Sequence, residues 1–124
     1  MCEIFVKADP QLYECRARSI RLHGAVTSIR LENQFWNALE EIATRDGMTT
    51  NQLITKLYDE LVEYRGEIEN FTSFLRVCCL RYLSLMVDGT ISADKRLPLA
   101  DAHLPRADLM KRNTGTKLTF LQSS

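Results

Sequence analysis

The tetrapeptide SIRL occurs twice in this chain, at Ser19–Leu22 and at Ser28–Leu31. In each copy polar and apolar residues alternate, which is the period-two pattern of a β-strand with one buried face. His23 and Gly24 lie between the copies, and glycine permits the positive backbone angles that tight turns need. The repeat therefore predicts two short strands that are close enough in sequence to form a hairpin.

Three amphipathic helices are predicted after the second strand. Apolar residues recur at helical spacing over 33–46, 50–64 and 71–87. Side chains able to accept from the free NH groups of a first helical turn precede or begin these segments: Asn33, Thr49 or Thr50, and Asn70. Gly47 suits the end of the first helix. The third helix is apolar on most sides, so we expect it to be buried by several neighbours, some of them from a second copy of the chain.

The two ends of the chain lack this periodicity. Residues 1–17 predict an irregular arm, with a short strand at Glu3–Val6. Residues 88–124 contain Pro98, Pro105 and a polar end, which predicts a C-terminal tail that is flexible or folds on a partner. A short strand is expected at Lys117–Leu121. The chain thus divides into an arm (1–17), a folded domain (18–87) and a tail (88–124).

Charge is unevenly distributed along a chain that is neutral overall, with 16 basic and 16 acidic residues. Residues 1–31 carry five Lys or Arg against three acids, whereas residues 32–69 carry three against nine. A nucleic-acid-binding protein is often basic overall, so neutrality counts mildly against that class. The distribution predicts that any contact with phosphates lies near the front of the chain.

Several classes of protein are not indicated. The four cysteines form no CxxC pair and have no histidine spacing suited to zinc, and Cys78 and Cys79 lie in an apolar run typical of a core. There is no phosphate-binding loop, nucleophile elbow or dinucleotide-binding turn, so we expect no enzyme, no catalytic residue, no metal and no cofactor. The N-terminus is not a signal peptide, and Arg81 interrupts the longest apolar run. We therefore expect a cytoplasmic protein with no membrane contact.

The stretch VTSIRLENQFWNALEEIATRDGMTTNQLITKLYDEL resembles the ribbon-helix-helix (Arc/MetJ-like) DNA-binding family. In that family apolar residues follow the end of the strand at fixed positions, and here Leu31 is followed by Phe35, Trp36, Leu39, Ile42 and Ala43. The junction between the family's helices resembles 47–51, and the second helix supplies Leu53, Ile54 and Leu57. Over about residues 18–85 the chain is similar to a branch with an extra upstream strand and a third helix.

The resemblance implies a mainly α fold with a short β-ribbon, built as an intertwined homodimer in which strands from two chains pair. It implies a bacterial-type, repressor-like transcriptional regulator that is nucleoid-associated and places this ribbon in the major groove of double-stranded DNA. The positions that would contact base edges are Val26, Ser28 and Arg30, which face outward if Ile29 and Leu31 face the helices. Val26 departs from the family, where a long polar residue is more usual.

A second anchor is expected at the start of the second helix. Free NH groups at Thr50 and Asn51, with the hydroxyl of Thr49, are suited to bind a DNA phosphate. Arg18 and Arg21, which flank the start of the first SIRL copy, are further candidates for contact with the DNA backbone.

Two alternatives remain open from the sequence. If the two SIRL copies pair within one chain, a ribbon shared by two chains gains outer strands and becomes too wide for simple insertion into the groove. The chain is also consistent with a protein-interaction module, such as an antitoxin or a phage-type inhibitor, that binds a partner protein through residues 88–124.

Overall fold

The structure is a computed structural model that describes residues 2–99. In chain order it contains a short helix α1 (Glu3–Val6), strands β1 (Cys15–Leu22) and β2 (Ala25–Glu32), and helices α2 (Asn33–Arg45), α3 (Thr50–Arg65) and α4 (Phe71–Val87). A single 3-10 turn, Pro10–Tyr13, lies between α1 and β1. The predicted mainly α fold with one β-ribbon is confirmed, and so are the three main helices. The predicted strand at Lys117–Leu121 lies outside the described residues.

Residues Glu3–Val6 form a helical turn, so the predicted strand there is wrong. The backbone NH groups of Phe5 and Val6 donate to the carbonyl of Cys2 at 3.0 and 2.9 Å. A strand needs a neighbouring strand to satisfy its backbone groups, and the sheet has only β1 and β2 within residues 2–99. Without such a neighbour, this exposed segment satisfies its backbone groups locally in one turn.

Strands β1 and β2 pair antiparallel along their whole length, with Ser19 opposite Ser28. The turn between them has positive φ at both central residues, 53° at His23 and 85° at Gly24. This combination is the one that a type I′ turn requires, and its twist matches that of the two strands. The hairpin alternative is therefore the one observed: β2 pairs with β1 of the same chain.

The core lies between the inner face of the hairpin and the three main helices. Ile20 of β1 and Leu31 of β2 are fully buried, and Ile29 is only 4% exposed. They pack with residues of all three helices: Trp36, Leu39, Ala43, Leu53, Ile54, Leu75 and Cys79. The apolar residues picked out by their helical spacing thus form one continuous core.

The helix starts differ in one respect from the expectation. The Thr49 side chain caps α3 and forms a capping box with Gln52, and Asn70 caps α4 by accepting from the NH of Ser73. Asn33, in contrast, is not a cap, because it is already the first residue of α2. Its amide instead donates to the carbonyl of Gln11 at 2.9 Å, so it holds the N-terminal segment against the start of α2.

The first part of the predicted tail, residues 88–99, packs on α2 and α4. Ile91 is 7% exposed, and its NH donates to the carbonyl of Leu85 at 3.0 Å. Arg45, at the end of α2, is 6% exposed and donates to the carbonyls of Ser92 and Leu97, both at 2.9 Å. This buried guanidinium joins the last described segment to the helices.

Candidate nucleic-acid interface

The outward face of β2 is formed by Val26, Ser28 and Arg30, which are all exposed. Between and beyond them lie Ile29 and Leu31, which are buried against the helices. Side chains on a strand alternate between its two faces, so burial of one set leaves the other set in solvent. The predicted alternation along β2 is therefore present in the structure.

Strand β1 adds a second row of exposed side chains to the same face. Ala17 lies opposite Arg30, Ser19 opposite Ser28, and Arg21 opposite Val26. Directly opposed residues in an antiparallel pair project to the same side of the sheet. We call these six residues the ribbon face: Ala17, Ser19, Arg21, Val26, Ser28 and Arg30. Ser19 is not among the residues predicted above to contact DNA, although the same alternation in the first SIRL copy indicates it.

Arg18 does not belong to the ribbon face. It shares the strand face of Ile20, and its guanidinium carbon lies 4.9 Å from the centre of the Trp36 ring. The Trp36 indole also donates to the carbonyl of Arg16 at 2.8 Å. Because β1 alternates, Arg18 and Arg21 point to opposite sides of the hairpin, and the structure brings only Arg21 next to the other candidate residues.

Arg30 makes no hydrogen bond or ion pair with any residue between positions 2 and 99. Its neighbour along the strand, Glu32, is instead bound by Arg76 of α4, with Nε–Oε1 and Nη2–Oε2 distances of 3.0 and 3.4 Å. The hydrogen bond from Arg76 is the main reason that the pKa of Glu32 is below its ordinary value. Glu32 is thus held at the base of the ribbon, and no group within residues 2–99 accepts from the guanidinium of Arg30.

The start of α3 offers further donors. The Thr49 hydroxyl accepts from the NH of Gln52 at 3.1 Å, and the side chain of Gln52 accepts from the NH of Thr49 at 2.9 Å. The NH groups of Thr50 and Asn51 donate to no acceptor within the described part of the chain. The side chain of Asn51 is exposed, whereas Thr50 is 8% exposed and offers mainly its backbone.

A groove connects the ribbon face to α3. It is lined by Arg21 of β1 and by residues of α3: Asn51, Gln52, Thr55, Lys56, Asp59 and Glu60. The Thr55 hydroxyl donates to the carbonyl of Arg21 at 3.4 Å, and His23 contacts the carboxylate of Asp59. These contacts hold the end of β1 against α3, so Arg21, Lys56 and Asn51 border the same groove.

No other kind of site is evident in the part of the chain that the structure describes. Residues 2–99 contain no group of His, Cys, Asp and Glu that could hold a metal ion. Burial raises the pKa of the Cys78 thiol to about 12 and that of Cys79 to about 11, so neither is a reactive thiolate near neutral pH. None of the helices within residues 2–99 has the length and apolar character to cross a membrane.

Comparison with known proteins agrees with this geometry. The family model described as "Ribbon-helix-helix domain" matches residues 15–83. A solved structure of an uncharacterized protein from Bordetella pertussis Tohama I is similar to this chain, with 56% sequence identity and a TM-score of 0.81. The match covers 86% of this chain and 91% of that one. A search of curated proteins gave no match. The matched region spans both strands, α2, α3 and most of α4. The chain therefore belongs to the ribbon-helix-helix family, whose members bind DNA and are typically dimeric.

Proposed function

We propose that this protein is a sequence-specific, repressor-like transcriptional regulator that binds double-stranded DNA with its hairpin in the major groove. The observation that carries the proposal is the ribbon face, on which Arg30 and Ser28 are exposed and have no partner within residues 2–99, while Ile20, Ile29 and Leu31 on the opposite face are buried. A two-stranded ribbon fits the major groove, where each base pair presents a distinct pattern of donors and acceptors.

The residue types on β2 suit this role. An arginine with free donors can bind O6 and N7 of one guanine through two hydrogen bonds, and a serine hydroxyl can donate to or accept from a base edge. Val26 is 61% exposed and can contact the methyl group of a thymine. These three residues would read the sequence.

The start of α3 would fix the position of the ribbon on the DNA. The NH groups of Thr50 and Asn51 point out of the first turn, where the helix dipole favours an anion. The Thr49 hydroxyl accepts one hydrogen bond within the cap, and its own hydrogen remains available to a phosphate oxygen. Such contacts orient a protein on DNA without reading bases.

We further propose that the protein acts as a homodimer. Along α4 the side chains of Val77, Leu80, Leu83 and Val87 are 57, 57, 46 and 88% exposed. An apolar helix surface of this kind is stabilised by burial against another copy, and dimerisation is typical of the family. As a DNA-bound repressor, the protein would act in the cytoplasm, associated with the nucleoid.

The test is titration of the purified protein with duplex DNA at two salt concentrations, with its mass measured by light scattering. We expect a dimer whose DNA affinity falls steeply with salt, because contacts with phosphates release counterions. After selection of a preferred sequence, the double variant Ser28→Ala/Arg30→Ala should fold and lose specific binding.

The matched control is Arg65→Ala. Arg65 is also an exposed arginine, but it ends α3, roughly 22 Å along the helix axis from the proposed phosphate site. We expect this variant to bind the selected sequence as the wild type does. Equal affinity of the double variant and the wild type for that sequence would refute the assignment of the ribbon face.

A further inference from the structure

The hairpin has an internal two-fold relationship that arises from the SIRL repeat. Ser19 and Ser28, the first residues of the two copies, lie directly opposite each other. In an antiparallel pair, a two-fold axis between two opposed residues carries each strand onto the other. Here that axis carries Arg21 onto Arg30, and it superposes the remaining residues of the two copies in the same way.

Burial follows this relationship on both sides of the hairpin. Ile20 and its equivalent Ile29 are 0 and 4% exposed, and both belong to the core. Arg21 and its equivalent Arg30 are both exposed on the ribbon face. A ribbon shared by two identical chains would present two serines and two arginines related by a two-fold axis. Here a single chain presents the same arrangement to solvent.

Resting on the DNA-binding function proposed above, we propose that the hairpin of a single chain is the complete reading element. Strand β1 takes the place that a second chain's strand has in a shared ribbon, so Ser19 and Arg21 read bases together with Ser28 and Arg30. Each hairpin then recognises a short inverted repeat, with Arg21 reading one half and Arg30 the other.

The width of the sheet supports one hairpin per groove. Neighbouring strands lie about 4.8 Å apart, so pairing of β2 with a second copy of itself would give four strands about 14 Å across, before side chains are counted. The major groove is about 12 Å wide. Because β1 covers one edge of β2 along its whole length, the two-stranded hairpin is the element that fits.

The register also predicts the spacing of the two half-sites. Arg21 and Arg30 each lie two residues from the central Ser19–Ser28 pair, in opposite directions along the ribbon. At about 3.4 Å per residue their Cα atoms are separated by about 14 Å along the strands. The bases they read should therefore lie about four base pairs apart, since base pairs stack about 3.4 Å apart along the duplex.

The experiment compares the sequences selected from a random duplex library by the full chain and by two single variants, Arg21→Ala and Arg30→Ala. The wild type should select a short inverted repeat with a guanine in each half. Each variant should bind that site about tenfold to a hundredfold more weakly and should select sites in which only one half is retained. The variants Arg21→Lys and Arg30→Lys should keep salt-dependent binding but not the guanine preference, because lysine lacks the two-pronged donor geometry.

Other outcomes separate this inference from the function on which it rests. If Arg30→Ala removes both halves of the selected site while Arg21→Ala leaves selection unchanged, the ribbon is shared by two chains and the inference is wrong. In that case the DNA-binding function still stands. A wild-type chain that selects no sequence would instead remove the proposed function, and the inference with it. The Arg65→Ala variant, expected to select the wild-type site, controls for loss of positive charge.

Discussion

The buried guanidinium of Arg45 should make a large contribution to stability. It donates to the carbonyls of Ser92 and Leu97 at 2.9 Å and to the hydroxyl of Tyr82 at 3.1 Å. The Tyr82 hydroxyl in turn donates to the carboxylate of Glu41. The substitution Arg45→Met keeps much of the side-chain volume and removes every donor, so it tests these hydrogen bonds with little change in packing.

The size of the effect can be bounded from the structure. Hydrogen bonds from a charged donor contribute about 1.5–3 kcal/mol each, and three of them act together here without simple additivity. The loss has an upper limit, because residues 90–99 can detach and return their carbonyls to water. Detachment would expose Ile91, whose burial is worth about 1.5–3 kcal/mol. We therefore expect Arg45→Met to lower the free energy of unfolding by about 1.5–3 kcal/mol.

Urea unfolding followed by tryptophan fluorescence measures this change, because Trp36 is the single tryptophan and is 1% exposed in the core. Hydrogen exchange at the NH of Ile91, which donates to Leu85, should become faster in the same variant. The control Arg65→Met changes an exposed arginine and should alter stability by about 0.5 kcal/mol or less. A loss below about 1 kcal/mol for Arg45→Met, with Ile91 still protected, would refute the reasoning.

Two further predictions concern the ribbon. Glu32→Gln should destabilise the protein by about 1 kcal/mol at pH 7, since the pair with Arg76 is partly exposed. The pKa of Glu32 is lowered in the folded state, so the stability that the pair contributes is complete above the ordinary value of 4.5 and is lost as the pH falls through the lowered pKa. Urea unfolding at pH 7 and at a pH below the lowered pKa should therefore show that the difference between variant and wild type vanishes in acid. Gly24→Ala should cost about 1–2 kcal/mol through backbone strain alone, because φ is +85° and a Cβ would meet no atom within 4 Å. Gly24→Asn should cost less in the same unfolding assay, and equal stability of the alanine variant and the wild type would contradict the assigned turn.

The periodic features of the chain could be predicted from its sequence because they depend on short-range spacing. Alternation along β2 placed Ile29 and Leu31 inside, and helical spacing located the three main helices. The residue types at Thr49 and Asn70 indicated the starts of α3 and α4, since capping depends on a side chain and the NH groups within three residues of it. The same local reasoning failed at Asn33, because its amide bonds to Gln11, which is distant in sequence.

Contacts between distant residues needed the tertiary structure. The SIRL pattern is equally consistent with pairing within one chain and with pairing between two chains. Alternation shows which face of a strand is buried, but it does not show which strand forms hydrogen bonds with its edge. The structure selects β1 as the partner of β2. It also places Arg18 over Trp36 and buries Arg45 beneath residues 92–97. From the sequence alone, an arginine on a predicted helix or strand is expected to be exposed to solvent. It becomes buried only because a distant segment packs over it and supplies backbone carbonyls that accept its hydrogen bonds.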